Sequence, residues 1–321
     1  MAEKNAFAQQ GAALLAQSNG CSVWQFRNET GEGTMTSYEL FPGVALSFND
    51  FHMAYFESAF TARQKLLAID YCREGRMEYP AAENALSYIK AGELKLDRRL
   101  AHQGTFVFPS SHYHGITVGL ELDTAEQTLR QMPEFPVDLA GLQEKFQLGT
   151  YPRVFHSGEL PQRVFEEMYR VPESIRLPYL RLKALELLLY LQAMEVPEGE
   201  ESPYFYRTQV EKVKAIRDYL SAHLSENHPQ AELAERFCIP LTAMKQCFKS
   251  VYGVSIGEWV TSCRMDKAAQ LLQQGRSSGT VTEIAAAVGY DSASKFAAAF
   301  KKTTGQTPVE YRNEIRREGL Q

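Results

Sequence analysis

The chain has 321 residues, is 44% hydrophobic and 23% charged, and carries a net charge of −5. These figures exclude a disordered chain, a collagen-like repeat and a small disulfide scaffold, and they leave room for two or three domains. The charge is uneven. Residues 209–321 hold 15 Lys and Arg against 12 Asp and Glu, net +3, whereas residues 1–208 hold 19 against 27, net −8. A mildly basic C-terminal part thus follows an acidic N-terminal one, a balance that hints at nucleic acid. No apolar run reaches the roughly 20 residues of a membrane span, and the residues after Lys4 are too interrupted for a signal-peptide core. Five cysteines (Cys21, Cys72, Cys238, Cys247, Cys263) show no metal-ligand spacing, so a cytoplasmic chain without disulfide framework or structural zinc is expected.

From Cys21 to about Leu122, short runs rich in Phe, Tyr, Val and Ile are punctuated by Gly, Pro, Asn and Asp, as in VALSFNDFHMAYF and GTFVFPSSHYHGITVGLEL. They predict several short strands of a small barrel or sandwich. Pro133, Pro136, Pro152 and Pro161 then exclude one long helix through the next stretch. Residues 178–194, PYLRLKALELLLYLQAM, place Leu180, Ala184, Leu187, Leu188 and Leu191 on one helical face, widened by Leu182, Leu185 and Leu189. Such a helix needs a partner, either its own barrel or the same helix of a second subunit in a homodimer. VPEGEESPYF, residues 196–205, lacks periodicity and reads as a linker. The expected division is 1–194, 195–208 and 209–321.

Beyond the linker lies an internal repeat. FKSVYGVSIGEWV from Phe248 matches FKKTTGQTPVEYR from Phe300 at an offset of 52 residues, pairing Lys249 with Lys301, Gly253 with Gly305, Ser255 with Thr307 and Glu258 with Glu310. Upstream, ELAERF (232–237) matches EIAAAV (283–288), with one extra residue in the second copy. Each copy reads as a short helix with Leu233, Ala234 and Phe237, or Ile284, Ala285 and Val288, turned inward. A tight turn follows, then a helix anchored by Met244 and Phe248 or by Phe296 and Phe300. That is the pattern of a helix-turn-helix. Alanine at 234 and 285 lets the second helix cross closely, and Thr280 with Glu283 forms a capping box. Gly289 suits a left-handed turn position, where the first copy carries Cys238. Two such units, basic and in tandem, point to DNA binding.

The stretch VTEIAAAVGYDSASKFAAAFKKTTGQTPVEYR resembles the DNA-binding domain of the AraC/XylS transcription regulators. The likeness runs from about Gln209 to Arg317. It includes a connecting helix, about Ile256 to Leu272, with Arg264, Ala268, Leu271 and Leu272 at the family's spacing. VGYDSASKFAAAFK and DYCREGRMEY are similar to the branch that includes siderophore-responsive regulators. The resemblance implies an α+β chain: an N-terminal cupin-like β-barrel with helices that often dimerise, then an all-α C-terminal domain with two helix-turn-helix units. It implies a sequence-specific transcription regulator, not an enzyme, controlled by a small-molecule effector in the barrel. Its partners would be double-stranded promoter or operator DNA and RNA polymerase, with no cofactor, no metal and no membrane.

With Met244, Phe248 and Val251 inward, the first recognition helix presents Thr242, Lys245 and Gln246, and the family's base-reading positions fall on the same three. Gln246 suits adenine and Lys245 guanine. With Phe296, Phe300 and Thr303 inward, the second presents Ser294, Lys295, Ala297 and Ala298. Ala298 stands where many relatives carry arginine and offers only a methyl group, so most base discrimination is expected in the first unit. Lys249, Lys301 and Lys302 are expected on phosphates. In the barrel, His112 and His114 alternate on a predicted strand, as in the H-x-H that begins a cupin metal site. No further ligand spacing follows, and a metal-dependent cupin enzyme carrying a DNA-binding domain is the alternative reading. His112, His114, Arg73, Tyr55 and Tyr71 are the candidate effector contacts, with Arg73 suited to an anionic group.

Overall fold

The computed structural model describes residues 12–18, 20–60, 65–99, 102–196, 203–274 and 279–318. It divides into two units, Met1–Phe205 and Tyr206–Gln321, β-rich first and all-helical afterwards, an α+β architecture. Of the expected linker, residues 197–202 lie outside the described residues. Its end belongs to the first unit: Ser87 Oγ donates to the Pro203 carbonyl at 3.0 Å, and Phe205 is buried.

The strands of the first unit are β1 (Ala12–Ser18), β2 (Cys21–Asn28), β3 (Gly31–Phe41), β4 (Val44–His52), β5 (Tyr55–Phe60), β6 (Leu66–Ala82), β7 (Ala85–Lys90), β8 (Glu93–Arg99), β9 (His102–Val107), β10 (Tyr113–Glu121) and β11 (Arg153–His156). Pairing runs β1-β2-β3-β4-β10-β6. Both β7 and β8 pair with β6, β11 pairs with β8, and β5 with β9 makes a separate ribbon. The sheet begins earlier than Cys21, with the edge strand β1, AALLAQS, which has six of its seven residues exposed and lacks the alternation by which strands are recognised.

Two-residue periodicity sorts the sheet into two faces. Val44, Leu46 and Phe48 of β4 share a face with Ile116, Val118 and Leu120 of β10 and pack into the main core. The alternate residues Ala45, Ser47, Asn49 and Phe51, with Tyr113, Thr117 and Gly119, turn to the inside of the curled sheet and line a cavity. Antiparallel register, with Ile116 opposite Phe48 and Thr117 opposite Ser47, keeps the faces apart along both strands.

Helices cover the first face: α1 (Leu122–Arg130), α2 (Leu139–Lys145), α3 (Glu159–Arg170) and α4 (Arg176–Ala193). The helix expected at 178–194 is α4, and Leu180, Ala184, Leu187, Leu188 and Leu191 are all buried in the core of its own unit. Burial of each large one is worth about 1.5–3 kcal/mol, so this face needs no second subunit to cover it. Leu182 alone among the expected leucines is strongly exposed, at 54%.

The second unit is built from α5 (Arg207–Ala222), α6 (Gln230–Arg236), α7 (Leu241–Tyr252), α8 (Ile256–Gln273), α9 (Val281–Ala287), α10 (Ala293–Thr304) and α11 (Pro308–Glu318). Helix α5 starts two residues before the expected boundary at 209. The Tyr206 N–H donates to the Gln209 side chain at 3.1 Å and closes the first turn there.

Candidate nucleic-acid interface and barrel cavity

The duplication read from the sequence is a duplication of geometry. In the first turn, the Cys238 N–H donates to Glu235 O and the Ile239 N–H to Ala234 O, both at 3.0 Å; in the second, Gly289 donates to Ala286 O at 3.0 Å and Tyr290 to Ala285 O at 2.9 Å. Cys238 has φ +49° and Gly289 φ +82°, so both turns use the left-handed region, and the first does so with a residue that carries a Cβ. Each turn's carbonyl is held by a basic side chain. Lys212 Nζ donates to Cys238 O at 2.6 Å, and Arg264 Nη1 to Gly289 O at 3.4 Å. Glycine at 289 has a steric reason that Cys238 lacks, since a Cβ there would stand 2.7 Å from Ser225 O and 2.8 Å from Arg264 Nη2.

Arg264 also donates from Nε to Leu224 O at 2.7 Å and from Nη2 to Glu226 O at 2.8 Å. From the connecting helix α8, one guanidinium therefore ties the chain after α5 to the turn of the second copy. The ends of α7 and α10 match as well. Gly253 (φ +83°) donates to Lys249 O at 2.8 Å, and Gly305 (φ +82°) to Lys301 O at 2.9 Å. Capping boxes then start the next helices: the Ser255 N–H donates to Glu258 and the Thr307 N–H to Glu310, each at 2.8 Å. These hydrogen bonds, the backbone ones first, hold both carboxyls below the ordinary glutamate range.

This frame fixes which side chains reach solvent. In α7, Met244, Phe248 and Val251 are buried, while Thr242, Lys245, Gln246 and Lys249 are exposed and stand at the i, i+3, i+4, i+7 spacing of one face. In α10, Phe296 and Phe300 are fully buried, and Ser294, Lys295, Ala298, Lys301 and Lys302 are exposed. Two details differ from expectation. Ala297 is half-buried, and Thr303 is exposed. The Thr303 hydroxyl donates back to Ala299 O at 3.1 Å while remaining in solvent, whereas the partly buried Thr304 turns toward the helix end and donates to Phe300 O at 2.9 Å.

The effector candidates lie elsewhere than the cavity. Because Tyr113 points into the barrel, its strand neighbour His114 points outward, and His112, just before β10, lies against His52 and Glu74 and does not line the cavity. The His112 ring lies 4.9 Å from the His52 ring, and the His114 ring meets Tyr169 edge-on at 5.1 Å. Burial pushes the His114 imidazole below its ordinary value, assisted by Arg73 and His112. Arg73 lies over the Tyr169 ring at 4.3 Å. The Tyr55 hydroxyl donates to Glu29, and Tyr71 is stacked on Phe165 at 4.4 Å in the helix-facing core. None of the five lines the cavity. Among the described residues, no group of three His, Cys, Asp or Glu side chains is placed to hold a metal ion.

The cavity itself has a volume of about 500 Å³, within the range of small-molecule sites. One end is a column of near-parallel rings. Phe106 lies on Phe56 (4.6 Å), Phe56 on Phe51 (4.9 Å), Phe51 on Phe108 (5.1 Å) and Phe108 on Tyr113 (5.4 Å). Trp24, Phe26, Met35 and Met77 add to the apolar lining. At mid-height sits a buried charge network. Asp70 is bound by Arg99 and by Lys95 Nζ at 2.7 Å, and Asp97 is 3.3 Å from Lys95 and 3.4 Å from Arg99. Thr117 Oγ1 donates to Asp70 at 2.7 Å and accepts from Asn49 Nδ2 at 3.0 Å. Burial opposes the charge of Asp70 most strongly, but Arg99 and Lys95, with the hydrogen bonds, outweigh it and hold the carboxyl well below the usual range. Sequence reading missed this network, although a lone carboxylate inside the apolar run LLAIDYC is a signal of a paired buried charge.

The Tyr113 hydroxyl is buried and, among the described residues, has no hydrogen-bond partner, an arrangement that costs about 1–3 kcal/mol. Its oxygen lies over Gly115, where a Cβ would stand 2.7 Å from it; the ring's place in the cavity depends on that glycine.

Among the described residues, no helix is long and apolar enough to cross a membrane. Residues 233–314 match the family described as Helix-turn-helix domain. The arabinose operon regulatory protein of Escherichia coli K12 is 30% identical over 138 residues, 42% of this chain and 45% of that protein. Its Salmonella typhimurium counterpart is 28% identical over 134 residues, 41% of this chain and 45% of that protein. The chain thus spans under half the length of these relatives. The solved C-terminal domain of AraT, a response regulator from Geobacillus stearothermophilus, is 33% identical, covering 32% of this chain and 84% of that one, with a TM-score of 0.31. Residues 233–314 thus carry a helix-turn-helix domain, and the chain is similar over 41–42% of its length to the two arabinose operon regulatory proteins.

Proposed function

We propose that the whole chain is a sequence-specific DNA-binding transcription regulator. In it, Thr242, Lys245 and Gln246 read bases, Ser294, Lys295 and Ala298 face a second major groove, and Lys249, Lys301 and Lys302 contact phosphates. The observation that carries this reading is the pair of exposed faces on α7 and α10, each held by a buried aromatic anchor and a turn with the same two backbone hydrogen bonds. Phosphate contacts supply affinity and salt dependence, and base contacts supply selectivity. Two recognition helices in one chain suit an asymmetric half-site of two successive grooves, about 34 Å apart. In this reading the N-terminal barrel takes a small-molecule effector, and the DNA-bound protein engages RNA polymerase at the promoter.

Selection of genomic fragments by the full-length protein at a stated salt concentration, with competition by non-specific DNA, tests the proposal. The expected result is a motif spanning two successive major grooves. Binding without preference overturns it. Adding a ferric chelate to the same selection checks the weaker likeness to siderophore-responsive regulators, for which a change in occupancy of the motif is required.

A further inference from the structure

The cavity contains enough chemistry to define what it accepts. Register places Glu39, Ala45 and Gly119 level with one another at one end, and Phe51 with Tyr113 at the other. The lining therefore grades from exposed carboxylates, Glu39 and Glu121, through the Asp70 network to the column of rings. The network is electrically closed: Asp70 and Asp97 face Lys95 and Arg99, two charges of each sign. An ionic ligand brought to this depth has no counter-charge left to pair with, and burying an unpaired ion is strongly unfavourable. An anion meets, in addition, the two carboxylates at the open end. The ring column offers flat apolar contact at the opposite end. Tyr113 lines the cavity, and its hydroxyl, which lies over Gly115 between the two, is buried and without a partner among the described residues. Burial pushes that phenol well above its ordinary value, so it remains a neutral donor.

We propose that the barrel cavity binds an uncharged amphipathic molecule whose aromatic or alicyclic body lies on the ring column and whose oxygen accepts a hydrogen bond from Tyr113. This assignment rests on the effector reading given above and specifies its chemistry. Neutral ring compounds bearing a hydroxyl or carbonyl fit, whereas carboxylates, phosphates and ammonium ions do not. The five candidates drawn from the sequence play no part in it, because they face the helices or solvent.

The test uses three probes with one ring body: 2-naphthol, 2-naphthoate and 2-naphthylmethylammonium, which are neutral, anionic and cationic at neutral pH. Each is titrated calorimetrically into the full-length protein. The chain has two tryptophans, and a Trp259→Phe variant leaves Trp24, on the cavity wall, as a local fluorescence reporter. The expected result is binding of 2-naphthol at least tenfold tighter than either ion, with a change in Trp24 emission. Tyr113→Phe is expected to weaken 2-naphthol about tenfold, the value of one well-made hydrogen bond. Ser47→Phe, which adds a ring at mid-height, is expected to abolish binding. Equal or tighter binding of either ion, an unchanged affinity in both variants, or no binding of any probe at millimolar concentration overturns the proposal. The same samples are titrated with the fragment recovered by genomic selection. Specific DNA binding without 2-naphthol binding overturns only the cavity assignment, and 2-naphthol binding without specific DNA binding overturns only the regulator reading.

Discussion

In the first helix-turn-helix, α7 turns Thr242, Lys245, Gln246 and Lys249 to solvent; in the second, α10 holds Ser294, Ala297, Ala298 and Lys301 at the equivalent positions, 52 residues on. The exposed lysine is kept, the hydroxyl at the start of the helix is kept, and the two long polar side chains between them become alanines. Backbone geometry does not explain the change, because turns, glycine caps and capping boxes repeat with hydrogen bonds that agree within about 0.1 Å. A scaffold has thus been duplicated while its reading surface diverged. In the proposed reading, one copy makes hydrogen-bonded base contacts, and the other positions the protein and touches thymine methyl groups.

Removing the tie between the copies should have the largest effect. Arg264→Ala is expected to destabilise the full chain by about 3 kcal/mol, because three backbone carbonyls lose a charged donor at once. Chemical denaturation measures it, and a loss under about 1 kcal/mol would show that the second copy does not depend on the connecting helix. Next comes readout. Gln246→Ala should cost about 1–3 kcal/mol at one base pair and little elsewhere, while the pair Ala297→Lys and Ala298→Gln should give the second helix a preference it lacks. Binding measured across single-base variants of the selected site decides both, and a uniform loss for Gln246→Ala would erase the distinction drawn between the copies.

Lys249→Ala and Lys301→Ala should behave alike, weakening all sequences and each lowering the salt slope by about 0.9; unequal slopes would mean that only one copy sits on the backbone. Acid should not separate the copies either. Glu258 and Glu310 have carboxyls lowered by their capping hydrogen bonds, so their contribution is complete above the unfolded value of about 4.3 and is lost as pH falls through the lowered folded values. Helicity of the isolated changes Glu258→Gln and Glu310→Gln, followed from neutral to acid pH, should show the same loss of pH dependence. The smallest effect belongs to the left-handed turns. Cys238→Gly should stabilise by about 0.5 kcal/mol, relieving a Cβ at positive φ against the greater entropy of glycine in the unfolded chain. Gly289→Ala should destabilise, since its Cβ meets Ser225 O and Arg264. If Cys238→Gly destabilised instead, the first turn would draw something from the thiol that the second lacks.

The sequence by itself determined the helical unit and its exposed faces. Helical contacts are local, so apolar spacing, glycine caps and T-x-x-E boxes fix helix limits and orientation within a few residues, and a repeat reads each signal twice. The connecting helix, expected at 256–272 and found at Ile256–Gln273, and the exposed Thr242, Lys245 and Gln246 follow from that locality. The barrel was legible as strands, but its inside was not. Both faces of its sheet are covered, one by helices and one by the opposite wall, so alternation assigns His112 and His114 to one face without showing which face. Only the tertiary structure decided that Tyr113 points in and His114 out. It also decided that Tyr71 serves the helix-facing core, and that Asp70 and Arg99, 29 residues apart, close a charge network inside the cavity. Those relations are made between strands distant in the chain, and no period of the sequence records them.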